Sequence, residues 1–318
     1  MESEEGSDRL HRALRDPSRV DLVAVAHLRQ RVQDLEWRYD TVPSTALLAE
    51  AGHVHAQVDT LAKHAVGRIA KEMRLVQAEA ATLLGQLTWD ASQRRDHRTA
   101  LKYLERAEAA ARDIGDPTAQ GYALLRRAYV ALYGQHDPGT GLALTRRAGE
   151  LVDGISAVLT GLTHLHAAEA NAMLGNTGAC ETALSSAETQ FGRISPSDIA
   201  AHLYSPGQFD RLAGSCYLSL GDHVRAQRIL GQAARTQQRS PSKSGALVFA
   251  NLSLTHLHQR DIEAATTALH RALDIAETTR GGGGLNLVAR VGRELSPWRT
   301  NPIVEPAYDR LLSLLTAA

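Results

Sequence analysis

Apolar side chains recur at steps of three and four along nearly the whole chain, the period of a helix that buries one face. After Asp16-Pro17-Ser18, a helix-start signal, Val20, Ala24, Leu28, Val32, Leu35 and Tyr39 keep that step. Val42-Pro43-Ser44 interrupts it and opens a second run, with Leu47, Ala51, Val54, Val58, Leu61, Ala65 and Ile69 on one stripe. The spacing predicts a long antiparallel helical pair over 18–69, an N-terminal unit of residues 1–70 that serves as a cap or as a dimer face.

From residue 71 to 280 the helical pattern repeats. Five segments each end one helix in a tight polar turn and begin another: Arg95-Asp96, His136-Asp137, Gly175-Asn176, Gly221-Asp222 and Arg260-Asp261. A small residue follows four positions past each Asp or Asn: Ala100, Gly141, Cys180, Ala226 and Ala265. An alanine comes seven later still, at Ala107, Ala148, Ala187, Ala233 and Ala272. Positions four and seven apart share a helix face, and small side chains there let two helices approach closely. Twelve before the early small residue the first helix carries Thr88, Ala168, Gly214 and Ser253, with Tyr129 as the exception.

This pattern resembles the tetratricopeptide repeat, most clearly in Leu212-Ala213-Gly214 through Gly221-Asp222 and Ala226, and in Asn251-Leu252-Ser253 through Arg260-Asp261 and Ala265. The steps between units are longer than the usual 34 of that repeat, with the surplus placed in loops or lengthened helices such as 187–209. The expected fold is all-α: a right-handed α-solenoid of about five tetratricopeptide-like hairpins with capping helices at both ends. Gly281-Gly282-Gly283-Gly284 reads as a flexible joint, because residues without Cβ have no preferred backbone state. It introduces a C-terminal unit, 281–318, with short helices over 285–294 and 306–316.

Composition agrees with helices. The chain of 318 residues has 50 Ala and 43 Leu against 26 Val+Ile, and 4% aromatics, whereas strands favour β-branched and aromatic side chains. No apolar run approaches the ~20 residues that span a bilayer, and the acidic start Met1-Glu2-Ser3-Glu4-Glu5 is unlike a secretion signal. A cytoplasmic protein with no membrane contact is expected. Lys+Arg and Asp+Glu both number 35, so the excess cation that a phosphate-binding surface needs is missing and direct nucleic-acid binding is not expected. Cys180 and Cys216 are too few for a disulfide framework and are expected as buried thiols.

A second resemblance covers Arg9 to about Asp116. Asp16-Pro17-Ser18-Arg19-Val20-Asp21, Arg38-Tyr39-Asp40, Pro43-Ser44-Thr45-Ala46-Leu47-Leu48 and Leu87-Thr88-Trp89-Asp90 resemble the regulatory region of actinobacterial Xre-type transcriptional regulators. The resemblance implies repeats that sense a partner and, ahead of them, a helix-turn-helix domain, for which the eight residues before Arg9 leave no room. A stand-alone relative acting through a separate DNA-binding regulator is the expectation, with a truncated regulator as the other account.

No catalytic set emerges. His53/His55, His164/His166 and His256/His258 stand at i,i+2, on opposite sides of a helix, where they cannot share a metal. HExxH, GxSxG and a phosphate-cradling loop are missing, so neither enzyme activity, metal nor cofactor is expected. The concave wall of such a solenoid is built by its first helices. Counting inward positions along them selects Trp89, Arg126, Tyr133, Glu169, Arg211 and Ser215, with Asn171 and Asn251 as polar residues of the same helices. Such a wall can hold an extended peptide or a protein segment through charge-assisted bonds to carboxylates and backbone. The other readings are that Arg126 and Arg211 pair with neighbouring acids, that Trp89 is core, that the chain is a homodimeric scaffold joined through 18–69, and that distant helices assemble an enzyme site.

Overall fold

The computed structural model describes residues 2–205, 207–237 and 241–316. Among them are fifteen α-helices and no strand. The first three are α1 (Glu2–Arg15), α2 (Leu22–Arg38) and α3 (Ser44–Ala62). Five hairpins follow: α4 (Gly67–Ala91) with α5 (His97–Asp113), α6 (Pro117–Tyr129) with α7 (Pro138–Val152), α8 (Ala157–Met173) with α9 (Thr177–Phe191), α10 (Gln208–Ser219) with α11 (His223–Gln237), and α12 (Lys243–His258) with α13 (Ile262–Thr279). A sixth pair, α14 (Gly282–Leu295) and α15 (Glu305–Thr316), ends the array. Helices pack on their sequence neighbours and, between successive units, on the helix two positions away, as α8 does on α10 and α12 on α14, the mark of an α-solenoid.

The five polar turns share one chemistry. A residue in the left-handed region stops each first helix: Arg94, His136, Gly175, Gly221 and Arg260, with φ between 54° and 79°. The acid that follows starts the second helix: Asp96, Asp137, Asp222 and Asp261 each accept a bond from the backbone N–H three residues on. Asn176 caps without that side-chain bond. Along the second helices the recurrent small residues and alanines, with Leu104, Leu184, Leu230 and Leu269 between them, are all buried.

The first helices fall out of the sequence register in two units. In the first, the residue that touches Ala100 O and Leu104 is Gly85, three before Thr88, because a longer turn, 92–96, separates the helices. In the second, α6 runs into a π-helical turn, Val130–Gln135, and the Asp137 N–H reaches back to Ala131 O. A π turn inserts one residue, which moves the fully buried small position to Ala128 and leaves Tyr129 free to face another unit. The surplus expected over 187–209 is a connection that carries one 3-10 turn, Ala201–Leu203, rather than a longer helix.

The acidic start, from Glu2 on, opens α1, whose Leu10 and Ala13 are buried. Two further expectations are corrected. The run over 44–69 is broken at 63–66, and Leu47, Ala51, Val54, Val58 and Leu61 are at most 4% exposed. These residues pack in one cluster with α1, α2 and α4, so the stripe is not an open dimer face. The glycine run is not a loose joint but the start of α14. A methyl group on Gly282 would stand 2.5 Å from Asp90 O, and one on Gly283 would strike the Arg94 guanidinium.

That last contact closes the array. The Gly282 N–H bonds Asp90 Oδ1 at 2.9 Å, the Asn286 amide donates to Gln93 O, and the Lys243 N–H donates to Asp40 O at 2.7 Å. Asp90 Oδ2 also takes Lys243 Nζ at 3.0 Å and the Ser44 hydroxyl at 2.7 Å, while Lys243 Nζ reaches Ser44 Oγ at 2.7 Å and lies over the Tyr39 ring. Partners about two hundred positions apart in sequence meet here. The stack therefore bends until α12 and α14 touch the 39–44 loop and the end of α4. Cys180 and Cys216 lie buried in one cluster as free thiols.

Candidate functional site

The helices α6, α8 and α10 bring a set of rings and charges together, with the Tyr39 end of α2 opposite. Arg126 and Tyr122 stand one turn apart on α6, so the guanidinium donates to the phenol through Nε at 3.1 Å and Nη2 at 2.7 Å. The same phenol donates to Glu36 Oε1 of α2 at 3.0 Å. Arg126 also lies 5.2 Å from the Tyr129 ring, which packs on His166 of α8 at 4.1 Å. The π turn places Tyr133 next to the same histidine: its hydroxyl meets His166 Nδ1 at 2.6 Å and donates to Glu169 Oε2. His166 Nδ1 and Glu169 Oε2 are 3.0 Å apart, with both residues buried.

Low exposure sets the electrostatics. Burial pushes the Tyr129 phenol up to about 12 despite Arg126 beside it, and holds Tyr122 and Tyr133 well above their usual range. These phenols stay protonated as donors. Burial works against charge on Arg126, yet the surrounding phenols and Glu36 keep it a firm cation. His166 is lowered by burial, against Glu169, and is neutral near pH 7. Its Nε2 is buried without a partner among the described residues.

Of the residues selected from sequence, Arg126, Tyr133 and Glu169 fall into this cluster. Arg211 of α10 acts electrostatically on Tyr129, Tyr133 and His166. Trp89 is 6% exposed and packs on Ala100, Leu104 and Val130, with the Arg94 guanidinium 4.7 Å from its ring. Asn171 turns its amide onto Ala167 O of its own helix. Ser215 is half-buried, Asn251 is buried, and neither side chain makes a hydrogen bond among the described residues. Val130, Leu165, Ala172 and Leu218, which the same count along the first helices also turns inward, are buried packing.

Sequence reasoning missed Tyr122, Tyr129, His166 and Arg94. Tyr122 carried a signal, its i,i+4 spacing from Arg126. Tyr129 was visible only as a break in the small-residue register. His166 stood in a pair read for metals, whereas the two members face different surroundings: His166 joins the cluster and His164 is half-buried away from it. Arg94 is brought in by a left-handed turn that no spacing announces.

Similar folds appear among solved structures. NprR in complex with its cognate peptide NprX aligns at a TM-score of 0.58 and 14% identity, over 94% of this chain and 80% of that one. A Rap protein complexed with competence and sporulation factor aligns at 0.56 and 12%, over 92% and 77%. The apo form of the quorum sensor NprR from B. thuringiensis aligns at 0.50 and 12%, over 99% and 97%. No protein-family model matches the chain, and no curated protein matches it. At these identities the likeness is one of fold: the chain shares the helical architecture of those proteins along nearly its whole length.

Proposed function

We propose that the chain is a regulatory binding module that takes a peptide or a protein segment on the wall formed by its first helices. The observation that carries this reading is the cluster of Tyr122, Arg126, Tyr129, Tyr133, His166 and Glu169, half-buried to buried groups gathered from α6 and α8 on one side of the array. A partner laid there exchanges water for rings and charge-assisted bonds, the combination that dominates binding hot spots. Two of the similar folds were solved with a bound peptide or factor, which supports the same use here. The expected link to transcription, through a separate DNA-binding regulator, rests on the resemblance carried by Arg9 to Asp116. Arg94, Tyr122 and Tyr129 join Arg126, Tyr133, Glu169, Arg211, Ser215 and Asn251 as candidate contacts, while Trp89 and Asn171 serve as support beneath them.

A photocrosslinking side chain tests this. Placed at Ser215, half-buried on α10, it should form peptide adducts in an extract of the native host; placed at Thr182, exposed on α9, it should not. Adducts confined to position 182 would place the partner on the outer surface and end the reading.

A further inference from the structure

Three arginines on this wall have no carboxylate partner among the described residues. The Arg94 guanidinium packs on Gly283 and lies 4.7 Å from the Trp89 ring and 5.8 Å from the Tyr133 ring, and its Nε is buried without an acceptor among the described residues. Arg126 donates only to the Tyr122 phenol. Arg211, half-buried on α10, makes no side-chain hydrogen bond or ion pair among the described residues. Among the half-buried arginines elsewhere, Arg127 reaches Glu108 and Glu105 and Arg29 grips Glu79 at 2.6 Å, while Arg31 donates to the Gln57 amide oxygen at 2.9 Å. Lys243, at the edge of the wall, is spent on Asp90. Glu36 and Glu169, the carboxylates of the ring cluster, each already accept from a tyrosine, and Asp90, on the Arg94 side, is taken up by Lys243, Ser44 and the Gly282 N–H.

A half-buried guanidinium that meets rings and phenols but no carboxylate has given up part of its hydration and is only partly compensated, so an incoming anion finds much of the desolvation already done. The planar fork of arginine suits a carboxylate in two-point contact. Tyr129 and Tyr133 stand between Arg126 and Arg94, their ring centres 5.9 Å apart. Acidic side chains alternating along an extended chain sit roughly 7 Å apart on one side of it, with the residues between free to lie on rings. We infer that the ligand of this wall is an acidic peptide, an extended segment whose Asp or Glu carboxylates seat on Arg94, Arg126 and Arg211. This rests on the reading that the wall takes a peptide at all.

The test uses the full chain, immobilised, and a synthetic library of randomised hexapeptides, with the retained sequences read by mass spectrometry. Asp and Glu should be enriched about fivefold over the input, and the best acidic peptide should bind more weakly as salt rises. Arg211→Gln and Arg94→Gln, which break no hydrogen bond of the fold, should each lower its affinity about tenfold while melting is unchanged. Should Arg94→Gln melt lower, Arg211→Gln decides. Retained peptides of neutral or basic composition would overturn the acidic assignment and leave the peptide reading standing. Retention of no peptide would remove that reading itself. Preference for a short oligothymidylate over every peptide would overturn the inference in favour of phosphate.

Discussion

At Gly282 a single methyl group decides between two helices. Ala is the better helix former by about 1 kcal/mol, but at this position it would press on the backbone oxygen of Asp90, which cannot swing aside. Gly282→Ala should therefore lower stability by about 1–3 kcal/mol, the cost of overpacking. Gly52→Ala, in α3 where nothing lies within 4 Å, should raise it by up to about 1 kcal/mol. Chemical denaturation of both variants checks the opposite signs. Histidine sets the acid limit. His27, His55, His164, His166, His223 and His256 are all held below their usual value, chiefly by burial. A group whose folded value lies below its unfolded value binds more protons once unfolded. Stability is therefore full above the unfolded value near 6.5 and falls as pH drops through it toward the folded one. Melting temperature should decline between about pH 7 and pH 5, and His166→Gln, which removes one of these neutral rings, should soften that decline.

Among the elements, the five turns between paired helices are variations on one design, and their differences predict where stability can be gained. Gly175 and Gly221 adopt the left-handed conformation without strain, whereas His136 and Arg260 hold it with a Cβ at φ of 54° and 63°. Arg260→Gly should stabilise by about 1 kcal/mol in a thermal melt, the relief of that strain. Asn176 is the one turn residue of the five without a side-chain cap bond, and Asn176→Asp should add about 0.5 kcal/mol by bonding the free N–H groups and complementing the helix dipole. The turns were legible in the sequence because their signal is local: Asp caps, and small residues recur on one face of the helix that follows. The second helices were legible for the same reason. Thr88 and Tyr129 were placed wrongly because a lengthened turn and a π turn each shift a helix by residues that no periodicity records. The site was readable only in part. Arg126, Tyr133, Glu169 and Arg211 followed from counting along first helices, while Arg94 and the Glu36–Tyr122 bond depend on how separate units meet.

On the scale of the whole molecule, closure is what local patterns could not show. A solenoid is held by neighbours in sequence, yet Asp90 binds the Ser44 hydroxyl, Lys243 Nζ and the Gly282 N–H at once, joining the first hairpin to the fifth and sixth pairs. Asp90 and Lys243 are both nearly fully buried. Removing one member of such a pair leaves a charge without compensation and costs about 3–5 kcal/mol, while replacing both with apolar residues of similar size is often neutral. Lys243→Met alone should thus be strongly destabilising, and Asp90→Leu with Lys243→Met should recover much of the loss. The hairpins themselves do not depend on this contact, so helicity at low temperature should stay close to that of the parent while the radius of gyration from small-angle scattering increases as the ends part. Loss of helicity in parallel with stability would mean that the closure is part of the folding unit and not a seam laid over an independent array.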